Sequence, residues 1–276
     1  MTWELRVAAV QLRSTDDLAA NLATCRELGD RAVSEGAHVV VLPECFPFLG
    51  QGERDKLGIA EDLDRGGPIV DLLRDLATRR RVWVIGGGMP EIVEGDPDRA
   101  YNTAVVIDPA GAIVTRYRKI HLFDVDIPGG ATLKESAATC AGDRRATVMI
   151  DGAKLGLSIC YDVRFPELYR ALVKEDGAEI LLVPAAFTAH TGAAHWHLLL
   201  RARAVEDQAY VVAPAQWGQH NAKRASYGHS LIVDPWGAVI AEQAEGDGVV
   251  IATLEGAVVE KRRTQMPCLS HAVLWK

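Results

Sequence analysis

Two Asp-Pro-x-Gly turns, starting at Asp108 and Asp234, lie 126 residues apart, and each sits between two short apolar runs. Asp-Pro followed by glycine is hairpin chemistry, because proline fixes one φ angle and glycine supplies a positive one. What precedes each turn is also alike. In the first half, apolar runs at 6–12, 39–42 and 82–85 alternate with helical patterns at 17–33 and from Pro68 onward, before hairpin strands at 101–107 and 112–117. In the second half, runs at 154–160, 180–183 and 210–213 alternate with helical patterns at 166–174 and 193–207, before hairpin strands at 231–233 and 238–241. The run 39–42 stops at Pro43 and its counterpart 180–183 stops at Pro184. The chain reads as two copies of one β-α-β-α-β-hairpin unit.

Duplication of that unit limits the fold. Each copy makes a sheet with helices on one face, so the other face needs a cover, and the matching sheet supplies it. The expected class is α/β, a four-layer α-β-β-α sandwich. Residues 1–276 are expected to form a single domain, since no Pro/Ser-rich linker divides the halves. A doubly wound sheet with helices on both faces fits the alternation nearly as well; the repeated hairpins favour the sandwich. A chain of this length needs neither disulfide nor metal to hold its core.

Charge and cysteine usage narrow the partners. With 30 Lys+Arg against 37 Asp+Glu, the net charge of −7 argues against a nucleic-acid binder, which needs a basic face. The longest apolar run, 180–187, is far shorter than a membrane span. Glu4 and Arg6 fall where a secretion signal needs its apolar core. The expectation is a cytoplasmic protein with no nucleic-acid or membrane partner. Its cysteines, Cys25, Cys45, Cys140, Cys160 and Cys268, then read as reduced thiols.

Three segments place reactive side chains at the ends of expected strands, where α/β proteins build their sites. Glu44 follows Leu42-Pro43, Lys119 follows the first hairpin, and Cys160 stands at a strand-to-helix junction. Taken singly, each has a plain alternative: a solvated loop glutamate, a cationic surface turn, a buried structural cysteine. Taken together they are the parts of a covalent acyl-transfer site. Cys160 would attack a carbonyl carbon, and Glu44 would take the thiol proton and later activate water. The Lys119 ammonium and the Tyr161 backbone N–H would hold the oxyanion. A helix N-terminus after Cys160 would also favour the thiolate.

The segments Leu42-Pro43-Glu44, Arg118-Lys119-Ile120-His121-Leu122-Phe123-Asp124 and Cys160-Tyr161-Asp162-Val163-Arg164-Phe165-Pro166-Glu167 resemble the nitrilase superfamily of carbon–nitrogen hydrolases, over nearly the whole chain. That resemblance implies the α-β-β-α sandwich and a Glu-Lys-Cys triad at Glu44, Lys119 and Cys160. It also implies a second glutamate at Glu135, which holds the lysine. The stretches 191–196, 201–206 and 224–230 resemble the Nit branch of amidases. By that likeness Arg164, Phe187 and Thr191 lie beside the substrate. Arg164 suits bidentate binding of a carboxylate, or else a salt bridge to Glu167 or Asp162. The implied substrate is a small-molecule amide of a 2-oxo diacid: deaminated glutathione, split to 2-oxoglutarate and Cys-Gly, or alternatively alpha-ketoglutaramate. Another aliphatic amide or an N-carbamoyl compound is a further alternative.

Competing readings are weaker. His190, His195 and His197 cluster in sequence, but on a helix His195 and His197 point to opposite sides and cannot share a metal. Gly86-Gly87-Gly88 lacks the Lys-Ser/Thr of a phosphate loop, and no Gly-x-Ser-x-Gly elbow is present. No metal and no cofactor are expected. An inactive binding scaffold would usually have lost one of the triad residues. The apolar positions Trp196, Leu199, Leu200 and Ala204, and the tail 266–276 with Leu269, Val273, Leu274 and Trp275, point to a homodimer or higher homo-oligomer. Cys45 reads as packing, the loop at Gly130-Ala131-Thr132 as the variable substrate mouth, and 220–227 as a basic stretch with donors for a leaving group.

Overall fold

The computed structural model describes residues 2–126 and 132–274. Its first half runs β1 (Glu4–Gln11), α1 (Leu18–Ser34), β2 (Val39–Val41), α2 (Pro68–Arg80), β3 (Trp83–Val93), β4 (Asp96–Ile107) and β5 (Ile113–Arg118). The second half runs β6 (Thr147–Ile150), β7 (Ala153–Leu157), α3 (Pro166–Lys174), β8 (Ile180–Leu182), α4 (Ala189–Asp207), β9 (Tyr210–Ala213), β10 (Ser230–Val233) and β11 (Val239–Gln243). β12 (Gly248–Glu255) and α5 (Gly256–Gln265) follow.

The repeat holds in the topology. One sheet is ordered β12-β1-β2-β3-β4-β5 and the other β6-β7-β8-β9-β10-β11. The series β1 to β5 and β7 to β11 therefore follow the same path. Even the hairpin irregularity recurs: the register shifts between Val106 and Ile107 and again between Ile232 and Val233. The offset between those bulges is that of the Asp-Pro-x-Gly turns.

Why the parts form a sandwich follows from the alternation along the strands. Val7, Ala9, Val39 and Val41 are fully buried in the cluster that also holds Leu155, Leu181 and Val211 of the second sheet. Their neighbours Ala8, Val10, Val40 and Leu42 are equally buried, against Cys25 and Leu28 of α1 and Leu73 and Leu76 of α2. Strands apolar on both faces need covers on both, so the first sheet lies between helices and the second sheet. α4 packs on β9 and β10. The doubly wound alternative is thereby excluded.

Differences from the sequence reading are instructive. β12 was not expected, because it lies outside the repeat. It pairs antiparallel with β1 over its whole length, from Glu4 opposite Glu255 to Gln11 opposite Gly248. β3 and β4 extend well past the expected 82–85 and 101–107 into a long arm, with a register shift between Gly86 and Met89. The glycine run Gly86-Gly87-Gly88 lies within that arm. A Cβ on Gly87 would sit 2.0 Å from the Leu42 carbonyl oxygen and 2.3 Å from Pro184 Cβ. Glycine lets the two Pro-terminated strand ends close together there.

The α4 face expected to meet a partner is instead an internal one. Trp196, Leu200 and Ala204 are completely buried in the chain's own core, and Leu199 packs against it. The apolar side chains that α4 turns outward are Leu198 (67% exposed) and Val205 (51%). Seven residues apart, they share one helix face. Met266, Val273 and Leu274 in the tail are exposed, and Leu269 packs on the core. Trp275 and Lys276, and Gly130 and Ala131 of the mouth loop, lie outside the described residues. Among the described residues, no helix is long and apolar enough to cross a membrane.

Candidate active site

The nucleophile candidate stands on a strained turn. After β7 come Ser158 and Ile159, then a single 3-10 turn, Cys160–Arg164. Cys160 has φ 50, a left-handed conformation that costs a non-glycine residue about 1 kcal/mol or more. Its N–H donates to the Pro184 carbonyl at 2.9 Å. Asp162, fully buried, fixes the rest of the turn. Its carboxylate accepts from Ile159 N (2.8 Å), Tyr117 OH (2.7 Å) and His121 N (3.1 Å), and lies 2.7 Å from His121 Nδ1. The same carboxylate thus joins the cysteine turn to the segment after β5 that delivers Lys119. From α4, Arg203 donates twice to the Val163 carbonyl, at 2.9 and 2.7 Å.

Lys119 and two glutamates meet above this turn. Lys119 Nζ donates to Glu44 Oε1 at 2.9 Å and to both oxygens of Glu135, at 3.1 and 2.9 Å. Asn102 Nδ2 donates to Glu44 Oε1 (2.9 Å) and Glu135 Oε1 (3.4 Å). Ala186 N donates to Glu44 Oε2 at 2.8 Å, and Phe123 N to Glu135 Oε2 at 2.6 Å. Glu44, Lys119, Glu135 and Cys160 are all within one cleft, as the sequence reading expected. Asn102, Asp162 and Arg203 were missed as supports. Asn102 was legible as a polar side chain in an apolar hairpin strand, and Asp162 lies inside the cysteine motif itself.

Charge balance sets the protonation states. Burial by itself would lower the Lys119 value, but Glu135 and Glu44 outweigh it and hold the ammonium well above the ordinary lysine range. Burial would raise Glu135, yet Lys119, Lys56 and the Phe123 amide keep it below the usual glutamate value. The expected low thiol value at Cys160 is overturned. Burial first, and the Glu44 carboxylate second, push the thiol well up, and the Lys119 charge offsets this only in part. A single short turn with its first N–H committed to Pro184 gives little helix-terminus stabilisation. The resting thiol is protonated, and the Glu44 carboxylate that helps to keep it so lines the same cleft. Cys45, next to Glu44, is likewise raised by burial and by Glu44, to about 12. The Tyr161 N–H, second in the turn, has no intrahelical acceptor by position, and it makes no hydrogen bond among the described residues.

A carboxylate, an ammonium, a thiol and an unpaired amide donor in one buried cleft can perform acyl transfer from an amide. Residues 6–264 match the carbon-nitrogen hydrolase family model. The chain belongs to the carbon-nitrogen hydrolase family. The Synechocystis deaminated glutathione amidase is 47% identical over 268 residues, covering 96% of this chain and 97% of the relative. The Caenorhabditis elegans NitFhit crystal structure superposes with a TM-score of 0.92 at 40% identity, over 99% of this chain and 66% of that one. A Saccharomyces cerevisiae member of branch 10 of the nitrilase superfamily does so at 0.86 and 34%, over 96% and 94%.

In this carbon-nitrogen hydrolase two hollows flank Cys160. The smaller, about 20 Å³, is lined by Phe123, Cys160, Tyr161, Arg164, Phe187, Thr188 and Thr191. All four residues expected beside the substrate, Tyr161, Arg164, Phe187 and Thr191, therefore converge. Arg164 pairs with neither Glu167 nor Asp162. Its Nη1 lies 3.2 Å from His195 Nδ1, and its guanidinium sits 5.0 Å from the Phe187 ring centre. The larger hollow, about 330 Å³, reaches from the triad out to Lys56, His190, Lys223 and Arg224. Arg224 is paired with Glu53, and Lys56 donates to Thr139 Oγ1 at 2.6 Å. Lys223, exposed, has no ion-pair partner among the described residues. His220 is a structural member of the 220–227 run, its ring between the Ser14 carbonyl and Ser226 Oγ at 2.8 Å each. The three helix histidines diverge: His190 to the large hollow, His195 to Arg164, His197 to Glu242.

Proposed function

We propose that this protein hydrolyses deaminated glutathione to 2-oxoglutarate and Cys-Gly through a thioester on Cys160. Glu44 takes the thiol proton as sulfur attacks the amide carbon. Lys119 and the Tyr161 N–H hold the oxyanion. Collapse breaks the carbon–nitrogen bond, and the amine leaves with the proton from Glu44. Glu44 then takes a proton from water, the hydroxide attacks the thioester, and the thiol is restored. Glu135 and Asn102 hold Lys119 and Glu44 in register. All charge stabilisation comes from Lys119 and backbone amides, so turnover needs no metal or organic cofactor, and chelators leave the rate unchanged.

The observation that carries the substrate reading is the inequality of the two hollows. The small one, with Arg164, suits the terminal carboxylate of a 2-oxo diacid. Ammonia as leaving group needs no room, whereas Cys-Gly needs a chamber and a cation for its carboxylate. The chamber of about 330 Å³ with unpaired Lys223 at its mouth meets both needs. The relatives that carry the deaminated glutathione amidase name support the same choice.

Rates on deaminated glutathione and on alpha-ketoglutaramate, measured side by side, test it. We expect kcat/KM at least about tenfold higher on the first, or about 1.4 kcal/mol in the transition state. Equal rates, or the reverse preference, make the protein an omega-amidase. Inactivity on both with turnover of an N-carbamoyl or simple aliphatic amide leaves only the triad. Inactivity on every amide makes it a scaffold.

The protein is proposed to work as a homodimer or higher oligomer, pairing through Leu198 and Val205 and through the exposed tail. Light scattering at the monomer mass of 29.9 kDa would refute that. A cytoplasmic location fits five unpaired thiols.

A further inference from the structure

Behind the substrate slot, on the outer side of α4, three side chains from separate elements converge. His197 comes from α4, His229 from the turn before β10, and Glu242 from β11. His197 Nε2 lies 2.8 Å and His229 Nδ1 lies 2.6 Å from the same oxygen, Glu242 Oε1. The three ligand atoms are all within 4.8 Å of one another. Each side chain is between 24% and 34% exposed, so the point is shielded but reachable.

The arrangement is rigid before anything binds. His229 has φ 56, again the left-handed region. Its carbonyl accepts the Trp196 indole N–H at 2.8 Å, and its N–H donates to Ala244 at 3.0 Å. Its ring stacks on Tyr227 with centres 4.3 Å apart, and His197 meets it edge-on at 4.9 Å. Nothing in the catalytic cycle uses this strained residue or its two partners.

We propose that His197, His229 and Glu242 form a binding site for a divalent transition-metal ion, zinc by preference. Two imidazoles and one carboxylate are the borderline set that suits zinc; magnesium and calcium want oxygen alone. Tetrahedral bonds of about 2.0–2.1 Å place ligand atoms roughly 3.3 Å apart, so the present contacts open by about 0.5–0.7 Å. Small side-chain rotations supply that. Each ring then presents a lone pair where it now faces the carboxylate, and its proton moves to the other ring nitrogen or to solvent. Water fills the fourth position. The ion staples α4 to the β10–β11 hairpin. Because α4 also carries Thr191 and His195, the staple stiffens the wall of the slot without entering the chemistry. The sequence hid this site: His195 and His197 diverge, and the partners of His197 lie 32 and 45 residues further on.

Cobalt(II) and zinc titrations of the full-length Cys160→Ala protein test the site free of the reactive thiol. We expect one cobalt ion per chain with d–d absorption and no sulfur charge-transfer band, displaced by zinc. His197→Ala and Glu242→Gln, each added to that background, should weaken binding at least about tenfold. Zinc should raise the thermal midpoint of the parent and not of the variants. Midpoints in chelator verify that the variants are folded; should one be unfolded, His197→Gln replaces it. Unchanged affinity in the variants, a sulfur band indicating cysteine ligation, or no binding to the parent would each overturn the proposal.

Discussion

The two copies of the unit finish their second strands alike and then part. Leu42-Pro43-Glu44-Cys45-Phe46 follows β2, and Val183-Pro184-Ala185-Ala186-Phe187 follows β8. Where the first copy has Glu44, the proposed base, the second has Ala185. Ala186, the counterpart of Cys45, contributes only a backbone N–H, aimed at Glu44 Oε2. The proposed nucleophile shows the opposite asymmetry. Val7 pairs with Val39 and Leu155 with Ile180, and five residues beyond, the first copy has buried Leu12 and the second Cys160. By the hairpin offset, Lys119 corresponds to Glu245. Duplication therefore built a shared frame with two sets of strand ends facing one another. Glu44 and Lys119, the proposed base and cation, stand in one copy and the Cys160 thiol in the other. A cleft between two sheets lets each half contribute what the other lacks, without any long loop.

That division can be broken most severely at the thiol. Cys160→Ala removes one sulfur atom and should abolish hydrolysis while circular dichroism stays unchanged. Wild-type protein mixed with substrate should show an acyl adduct on Cys160 by intact mass; an adduct on Cys45 would invert the assignment. Next come the first-copy groups. Glu44→Gln and Lys119→Ala should each cost about 10²–10⁴ in kcat, because a general base and an oxyanion charge are worth that much. Glu245→Gln, at the position matching Lys119, should leave kcat untouched. Equal losses at Lys119 and Glu245 would refute the asymmetry.

Smaller effects sharpen the picture. Lys223→Ala should lower kcat/KM on deaminated glutathione by about tenfold through KM, as loss of one carboxylate contact implies, and leave alpha-ketoglutaramate turnover unchanged. A uniform loss on both would remove Lys223 from leaving-group binding. The smallest signal is in stability. Glu135 is held below its ordinary value of 4.5 against burial, chiefly by Lys119. A depressed folded value contributes stability that is complete above the unfolded value and lost as pH falls through the folded one. The wild type's resistance to denaturation should weaken as pH drops below about 4.5, and Glu135→Gln should flatten that part of the profile. An unchanged slope in the variant would show that Glu135 is not the linked group.

Much of this was legible along the chain. The duplication, both Pro-terminated strands, both hairpins and the triad positions are local patterns: spacing, turn residues and reactive groups at strand ends. Arg164, Phe187 and Thr191, which line one hollow with Cys160, were also named from sequence, through resemblance. Sequence did not reveal β12, because a strand outside the repeat is recognised only by its eight-residue pairing with β1. Nor could it tell which face of α4 is free. Trp196, Leu200 and Ala204 look available until the second sheet buries them. Tertiary structure alone decided the thiol's state. A helix start seemed to favour the thiolate, but Pro184 occupies the Cys160 N–H, and burial beside Glu44 keeps the proton on sulfur. Local pattern fixes which groups the chain owns and which strand end each occupies. Burial, charge partners and the neighbour across the sheet are set by residues distant in sequence, from 24 positions for Pro184 to 116 for Glu44 in the case of Cys160, and those decide what each group can do.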